Sequence, residues 1–213
     1  MTDSGRRSPA RNRVTPLGDI EAFPLRGAWT GNRGIIHRDR EIVRFHASDL
    51  WITCALEFRG WWREQWLPHR WTHLFVHDEA VSFAAGHRPC AECRRADYVA
   101  YRDGWAAALD VPRPLAKEIN RQLHGERIVR GTHRRRVHDM DFAGLPDGTF
   151  VLIDGTTPAL VLDDALVEWT RSGYAGRTTR PRSGRATVIT PPSTVAVLRT
   201  GYPVQIDESA RPA

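Results

Sequence analysis

Three cysteines carry the plainest chemistry in this sequence. Cys90 and Cys93 stand as Cys-x-x-Cys inside the stretch His77–Tyr101, and Cys54 lies upstream. Thiolates at that spacing grip zinc or run redox chemistry. Arg88, Arg94 and Arg95 surround the pair, and neighbouring cations lower a thiol pKa. Zinc prefers four tetrahedral nitrogen or sulfur ligands, so three cysteines ask for a histidine. His37, His46, His73 and His87 are all within reach in the chain. A second constellation is Asn120, His124 and Arg127 with Glu126 beside them. On a helix it makes a polar stripe able to do acid/base work on a phosphate ester, or simply a solvated face. The third group is Arg134, Arg135 and Arg136, with Trp61 and Trp62 elsewhere among arginines. Guanidinium forks match phosphate, and exposed indoles stack bases. Buried aromatics covering a small core account equally for the tryptophans.

The stretch AVSFAAGHRPCAECRRAD resembles the second half of the zinc module of bacterial Ada alkylation-response proteins. There a short Ala-rich helix, a Gly-aromatic-Arg-Pro turn and Cys-x-x-Cys follow in the same order. The resemblance covers residues 31–97. It implies zinc, DNA as partner and a metal set of His37, Cys54, Cys90 and Cys93. His37 follows Gly34-Ile35-Ile36, where that family places its first ligand after a Gly-Ile-Phe strand. In that family the first ligand is a cysteine that accepts methyl groups from DNA phosphotriesters. An imidazole is not a thiolate nucleophile, so the site reads as structural. His46 is nearer Cys54 in the chain and stays open as the fourth ligand.

These residues need elements to hold them. Asp78 is a good N-cap for a helix over 79–85, with Gly86 in the left-handed position after it. Pro89 leads into a helix that carries Cys90 and Cys93 at its N-terminus and runs to Leu109. Tyr98, Tyr101, Trp105 and Leu109 form its buried stripe. Residues 115–128 read as a third helix, with Leu115, Ile119 and Leu123 inward. Residues 35–45, 50–58 and 72–76 read as strands. After Asp147-Gly148 the texture becomes β-rich. Strands are expected at 149–153, 159–162, 165–169, 186–190 and 202–206, with a short helix from Pro191 to about Thr200 and a basic loop at 171–185.

The fold class expected is therefore α+β: a small zinc-stabilised Ada-like hairpin and helix module, two following helices, and a small β-rich C-terminal domain. The divisions are a disordered basic arm at 1–14, a zinc-binding domain at 15–139 and a β-rich domain at 140–213. No nucleotide-binding glycine loop and no Gly-x-Ser-x-Gly occurs.

The 213 residues carry a net charge of +6, and Lys117 is the one lysine among 31 cationic side chains. Residues 1–13 hold +3, residues 126–136 hold +4 and residues 171–185 hold +5, which leaves −6 on the rest. Clustered arginine suits phosphate. No apolar run approaches a membrane span. Three cysteines without a secretory signal suggest a reducing compartment, here the cytoplasm. The leading expectation is a structural-zinc protein that binds nucleic acid, DNA more than RNA, with little sequence preference. The alternative is a metal-containing phosphodiester or nucleotide hydrolase centred on His124. A protein-interaction module is a third reading.

Overall fold

A computed structural model describes residues 9–60 and 64–212. Asp78 caps the first helix as expected. Its Oδ1 accepts from the Val81 N–H at 2.7 Å, and helix α1 runs over Glu79–Ala84. Every residue of α1 is buried. The chain leaves it through Gly86 at φ +88°, and a Cβ there would sit 2.6 Å from Arg127 Cδ. Only glycine meets both conditions.

Six short strands form a mixed sheet over this helix. They are β1 (Arg13–Val14), β2 (Ile20–Glu21), β3 (Trp29–Asn32), β6 (Ile52–Cys54), β7 (Leu74–Val76) and β8 (Arg88–Pro89). Their order is β2-β1-β7-β3-β6-β8. The β1–β7 and β6–β8 pairs are parallel and the others antiparallel. The strand expected over 35–45 is instead a hairpin, β4 (His37–Arg38) and β5 (Glu41–Ile42). Arg13 and Val14 lie in β1, so the expected arm does not extend to residue 14.

Three helices pack together on aromatic and aliphatic side chains. They are α2 (Arg95–Leu109), α3 (Ala116–Arg127) and α4 (Pro192–Arg199). Tyr98, Tyr101, Trp105, Ile119, Leu123, Val197 and Leu198 form their shared core. Leu115, expected inside, is 56% exposed. It precedes α3, where its N–H donates to Glu118.

The second large sheet is wholly antiparallel. It contains β9 (His138–Asp141), β10 (Phe150–Ile153), β11 (Thr157–Leu162), β12 (Ala165–Thr170), β13 (Gly173–Thr179) and β14 (Arg185–Val188). Its order is β13-β12-β11-β10-β14-β9. The expected basic loop contains β13. Its side chains are mostly exposed, so it lacks the alternation that marks a half-buried strand. Main-chain pairing to β12 holds it. Residues 202–206, expected as a strand, are irregular.

The fold class therefore differs from the expected one. Four helices and three sheets make a mixed α/β structure among the described residues, without the specific build of an Ada module. α4, from the C-terminal stretch, packs on α2. One core joins Val76, Ala80, Val81 and Ala84 to Phe150, Leu160, Leu162, Val167 and Trp169. A burial-driven core does not follow chain order. Hence a three-helix layer and a shared core replace the expected separate module and β-rich domain.

The junction is also polar. Asp78 and Glu79 are buried carboxylates at the start of α1. Asp78 Oδ2 accepts from Tyr174 OH at 2.7 Å and from the Asp207 N–H at 3.0 Å. Glu79 accepts from Tyr202 OH at 3.0 Å and the Gln205 N–H at 3.1 Å, and meets Arg94 Nη2 at 2.6 Å. No helix among the described residues is long and apolar enough to cross a membrane.

Candidate metal centre

Strand register brings the three cysteines together. β6 and β8 run parallel with Ile52 opposite Arg88 and Thr53 opposite Pro89. The Cys90 N–H donates to the Thr53 carbonyl at 2.9 Å. Cys54 ends β6, Cys90 follows β8, and Cys93 lies in the turn before α2. The expected helix N-terminus at Cys90 is absent, because α2 begins only at Arg95. All three sulfurs lie within 4.8 Å of one another and none is in a disulfide. Sulfurs bound tetrahedrally to one ion at about 2.3 Å are roughly 3.8 Å apart, so closure needs at most about 1 Å of movement.

The surroundings suit thiolates. The Ala55 N–H points to Cys93 Sγ and the Glu92 N–H to Cys90 Sγ, both at 3.4 Å. Such outer donors orient and tune metal ligands. The sulfurs also act on each other. Cys54 and Cys93 donate to Cys90, which pulls the Cys90 thiol down, while the same bond to Cys90, with burial, pushes Cys54 up. A bound cation would take the place of the protons that these sulfurs share.

The cysteines open on a cavity of about 670 Å³. Period-two alternation explains its walls. Thr30 and Asn32 face it from β3, Ile52 and Cys54 from β6, and Trp71, His73 and Phe75 from the β7 segment. The opposite face of the sheet carries Leu74 and Val76, both fully buried.

The candidate histidines separate. His37 does not belong to the cysteine cluster: its Nδ1 pairs with Thr72 Oγ1 at 2.7 Å and its ring meets Trp66 edge-on. His37 therefore does not join the ligand set that the Ada resemblance implied. Its residue lies in the β4–β5 hairpin, outside the sheet that carries Cys54. His46 packs against His124. His87 is fully buried and bonds to Arg33. His73 lines the cavity with the cysteines. The Trp71-x-His73-x-Phe75 alternation is the sequence signal that places it there.

The expected catalytic stripe is divided. Asn120 Oδ1 accepts from Arg88 Nε at 2.8 Å, and Glu126 accepts from Ser193 Oγ at 2.5 Å. His124 and Arg127 alone meet, at 3.0 Å. Of the expected phosphate contacts, Arg134 and Arg136 are exposed. Arg135 turns inward onto the carbonyls of Ala84, Ala85, Arg127 and Ile189. Trp61 and Trp62 lie outside the described residues. Three of the 171–185 arginines are engaged within the chain as follows: Arg171 with Glu21, Arg180 with the Phe142 and Leu145 carbonyls, and Arg185 with Asp139 and Asp141.

Acid should destabilise the protein through its histidines. Burial, then Arg33 and Arg127, lowers His87; burial, then Arg127, lowers His124; burial, then His124 and Arg127, lowers His46. Nδ1 of His87 donates to the Ser82 carbonyl, so Nε2, which accepts from Arg33, is the unprotonated nitrogen. Their folded pKa values lie below the unfolded value of about 6.5. The unfolded chain then binds more protons, and stability rises with pH. The contribution is complete above about pH 6.5 and is lost as pH falls below it. Asp78 and Glu79, raised by burial, act in the opposite sense. Melting temperature should fall from pH 7.5 to 5.5, with a shallower slope in His124→Gln. Identical slopes would refute the assignment.

Comparison with protein-family models, curated proteins and solved structures gives no match. The likeness to the Ada zinc module therefore rests on the motif, and what stands is a cysteine triad able to hold a metal ion.

Proposed function

We propose that this chain is a zinc protein whose ion is held by Cys54, Cys90 and Cys93, and that its partner is nucleic acid. The convergence of three thiols from two distant chain segments on one cavity carries the reading. Sulfur donors select zinc, copper(I) or iron–sulfur clusters over hard cations. Tetrahedral zinc with three protein ligands would keep a fourth position for water or another ligand, and the three cysteines border the cavity. Bound there, zinc supplies a Lewis-acidic position; the chain supplies the thiolates, the N–H donors of Ala55 and Glu92, and the sheet wall that shapes access. For the partner, Arg134 and Arg136 present exposed guanidinium groups on the turn before β9, with no side-chain partner among the described residues. Guanidinium groups bind phosphate bidentately.

Elemental analysis of purified protein should find about one zinc per chain, and cobalt(II) exchange should give intense sulfur-to-metal charge-transfer absorption. His37→Ala should keep both and Cys93→Ser should lose both. Loss in His37→Ala equal to that in Cys93→Ser would put His37 back on the metal. Anisotropy titrations with single- and double-stranded DNA and RNA at two salt concentrations test the partner. Arg134→Gln with Arg136→Gln should reduce the duplex salt slope by up to about 2. No binding at low salt to any of the four would remove nucleic acid as partner.

A further inference from the structure

Away from the cysteines, two fully buried arginines converge on one indole. The guanidinium carbons of Arg33 and Arg127 each lie 3.9 Å from the Trp51 ring centroid. Arg33 Nε donates to His87 and its Nη1 to the Gly18 carbonyl at 2.8 Å. Arg127 Nη1 donates to the Gly86 carbonyl at 2.8 Å, and its Nη2 to the Asp49 carbonyl at 2.7 Å and His124 Nδ1. Arg33 Nη2 and Arg127 Nε, both buried, have no hydrogen-bond partner among the described residues. Neither arginine has a carboxylate within ion-pair distance among the described residues. The carboxylates of Asp19 and Asp49 act on them only from farther away. Arg135 adds a third inward cation whose contacts are carbonyls.

Imidazoles rim this charge. The His46 ring lies 5.0 Å from His124 and 6.3 Å from His133, and 5.7 Å from Trp51. His46 and His124 are half-buried and His133 is exposed, so the group reaches solvent. Phe45 packs on His133 and on Trp51 and sits beneath the Arg33 guanidinium.

We infer that this Arg33–Arg127–His46–His124 cluster is an anion site for a phosphoryl group. A buried cation without a counter-charge is strongly disfavoured unless an anion joins it. The carbonyls and imidazoles that hold them leave two guanidinium nitrogens without an acceptor and two positive charges without a carboxylate. A tetrahedral oxyanion at the histidine rim meets imidazole donors and feels the arginine charge through a low-dielectric wall. A hard carboxylate-lined cation site is excluded by the same charge. The inference is independent of the metal, and holds equally for a free phosphate monoester or a phosphate of a strand.

Thermal melts and calorimetry on the full chain test it, in chloride of matched ionic strength. The probes are inorganic phosphate, a nucleoside 5′-monophosphate and a short single-stranded oligonucleotide. At least one should raise the melting temperature above the chloride control and bind saturably. His46→Gln with His124→Gln, a pair at the rim, should weaken that binding at least tenfold. Arg127→Met should abolish it; if that variant does not fold, the histidine pair decides. Binding of phosphate or nucleotide but not oligonucleotide supports the site while removing a strand as its ligand. Binding lost in the histidine pair but kept in Cys93→Ser supports it while the metal reading stands or falls separately. No response to any probe beyond chloride, or equal binding in the histidine pair, overturns it.

Discussion

Cys90→Ser is expected to abolish metal retention and to lower the melting temperature by about 10 °C. Cys90 is 8% exposed and joins β8 to the turn before α2, while Cys54 closes β6. A metal binding all three cross-links segments that are distant in sequence. Its binding free energy is then folding free energy, which in isolated zinc peptides reaches about 10–16 kcal/mol. Here β6 and β8 are also fixed by sheet pairing and α1 by its own core, so only part of that is at stake. A loss of about 3–5 kcal/mol shifts the melting temperature of a chain this size by roughly 6–20 °C. Calorimetry with and without a chelator checks the cause. Chelator should bring the wild type down to the variant and leave the variant unmoved. A wild type indifferent to chelator would end the argument.

Glu79→Gln should cost about as much for a different reason. Glu79 is 1% exposed and Arg94 is 5% exposed. Burial raises the Glu79 carboxyl more than Arg94 lowers it, whereas at Arg94 burial is overcome by Glu79. The 2.6 Å contact, with Tyr202 and Gln205 as further donors, favours the ionised pair. Removing one member leaves a buried charge and costs about 3–5 kcal/mol. Asp97, also on Arg94, keeps the loss toward the lower figure. The melting temperature should drop by roughly 6–12 °C. Adding Arg94→Met should restore more than half of it, since the lone cation is then gone. A drop below about 2 °C, or no recovery in the double variant, would mean the pair is not ionised.

Local signals carried much of this structure. The Asp78 cap, the Gly86 exit, the Tyr98–Tyr101–Trp105 stripe and the Pro192 helix start all follow from short-range rules. The grouping of Cys54 with Cys90 and Cys93 comes instead from the Ada resemblance and from the ligand preference of zinc, and the three sulfurs do lie together. What stayed hidden depends on long-range pairing. Nothing near Cys54 announces that β6 lies parallel to β8, and nothing near His37 announces its contact with Thr72. By residue type alone, Arg33, Arg127 and Arg135 belong at the surface. Their burial depends on Trp51 and on carbonyls from distant turns. β13 was missed because an edge strand can be held by main-chain bonds alone.

The clamp on α1 also bears on the order in which the chain can be completed. The cysteines leave the ribosome more than a hundred residues before Tyr202, Gln205 and Asp207, which satisfy the carboxylates of Asp78 and Glu79. At about 5–20 residues per second, that interval lasts several seconds or longer. Through it the thiols are already made, while the helix beside them still carries two carboxylates without their final donors. Early capture of a metal would shield the nascent thiols from oxidation during that wait, and docking of residues 202–207 would then lock the helix behind them.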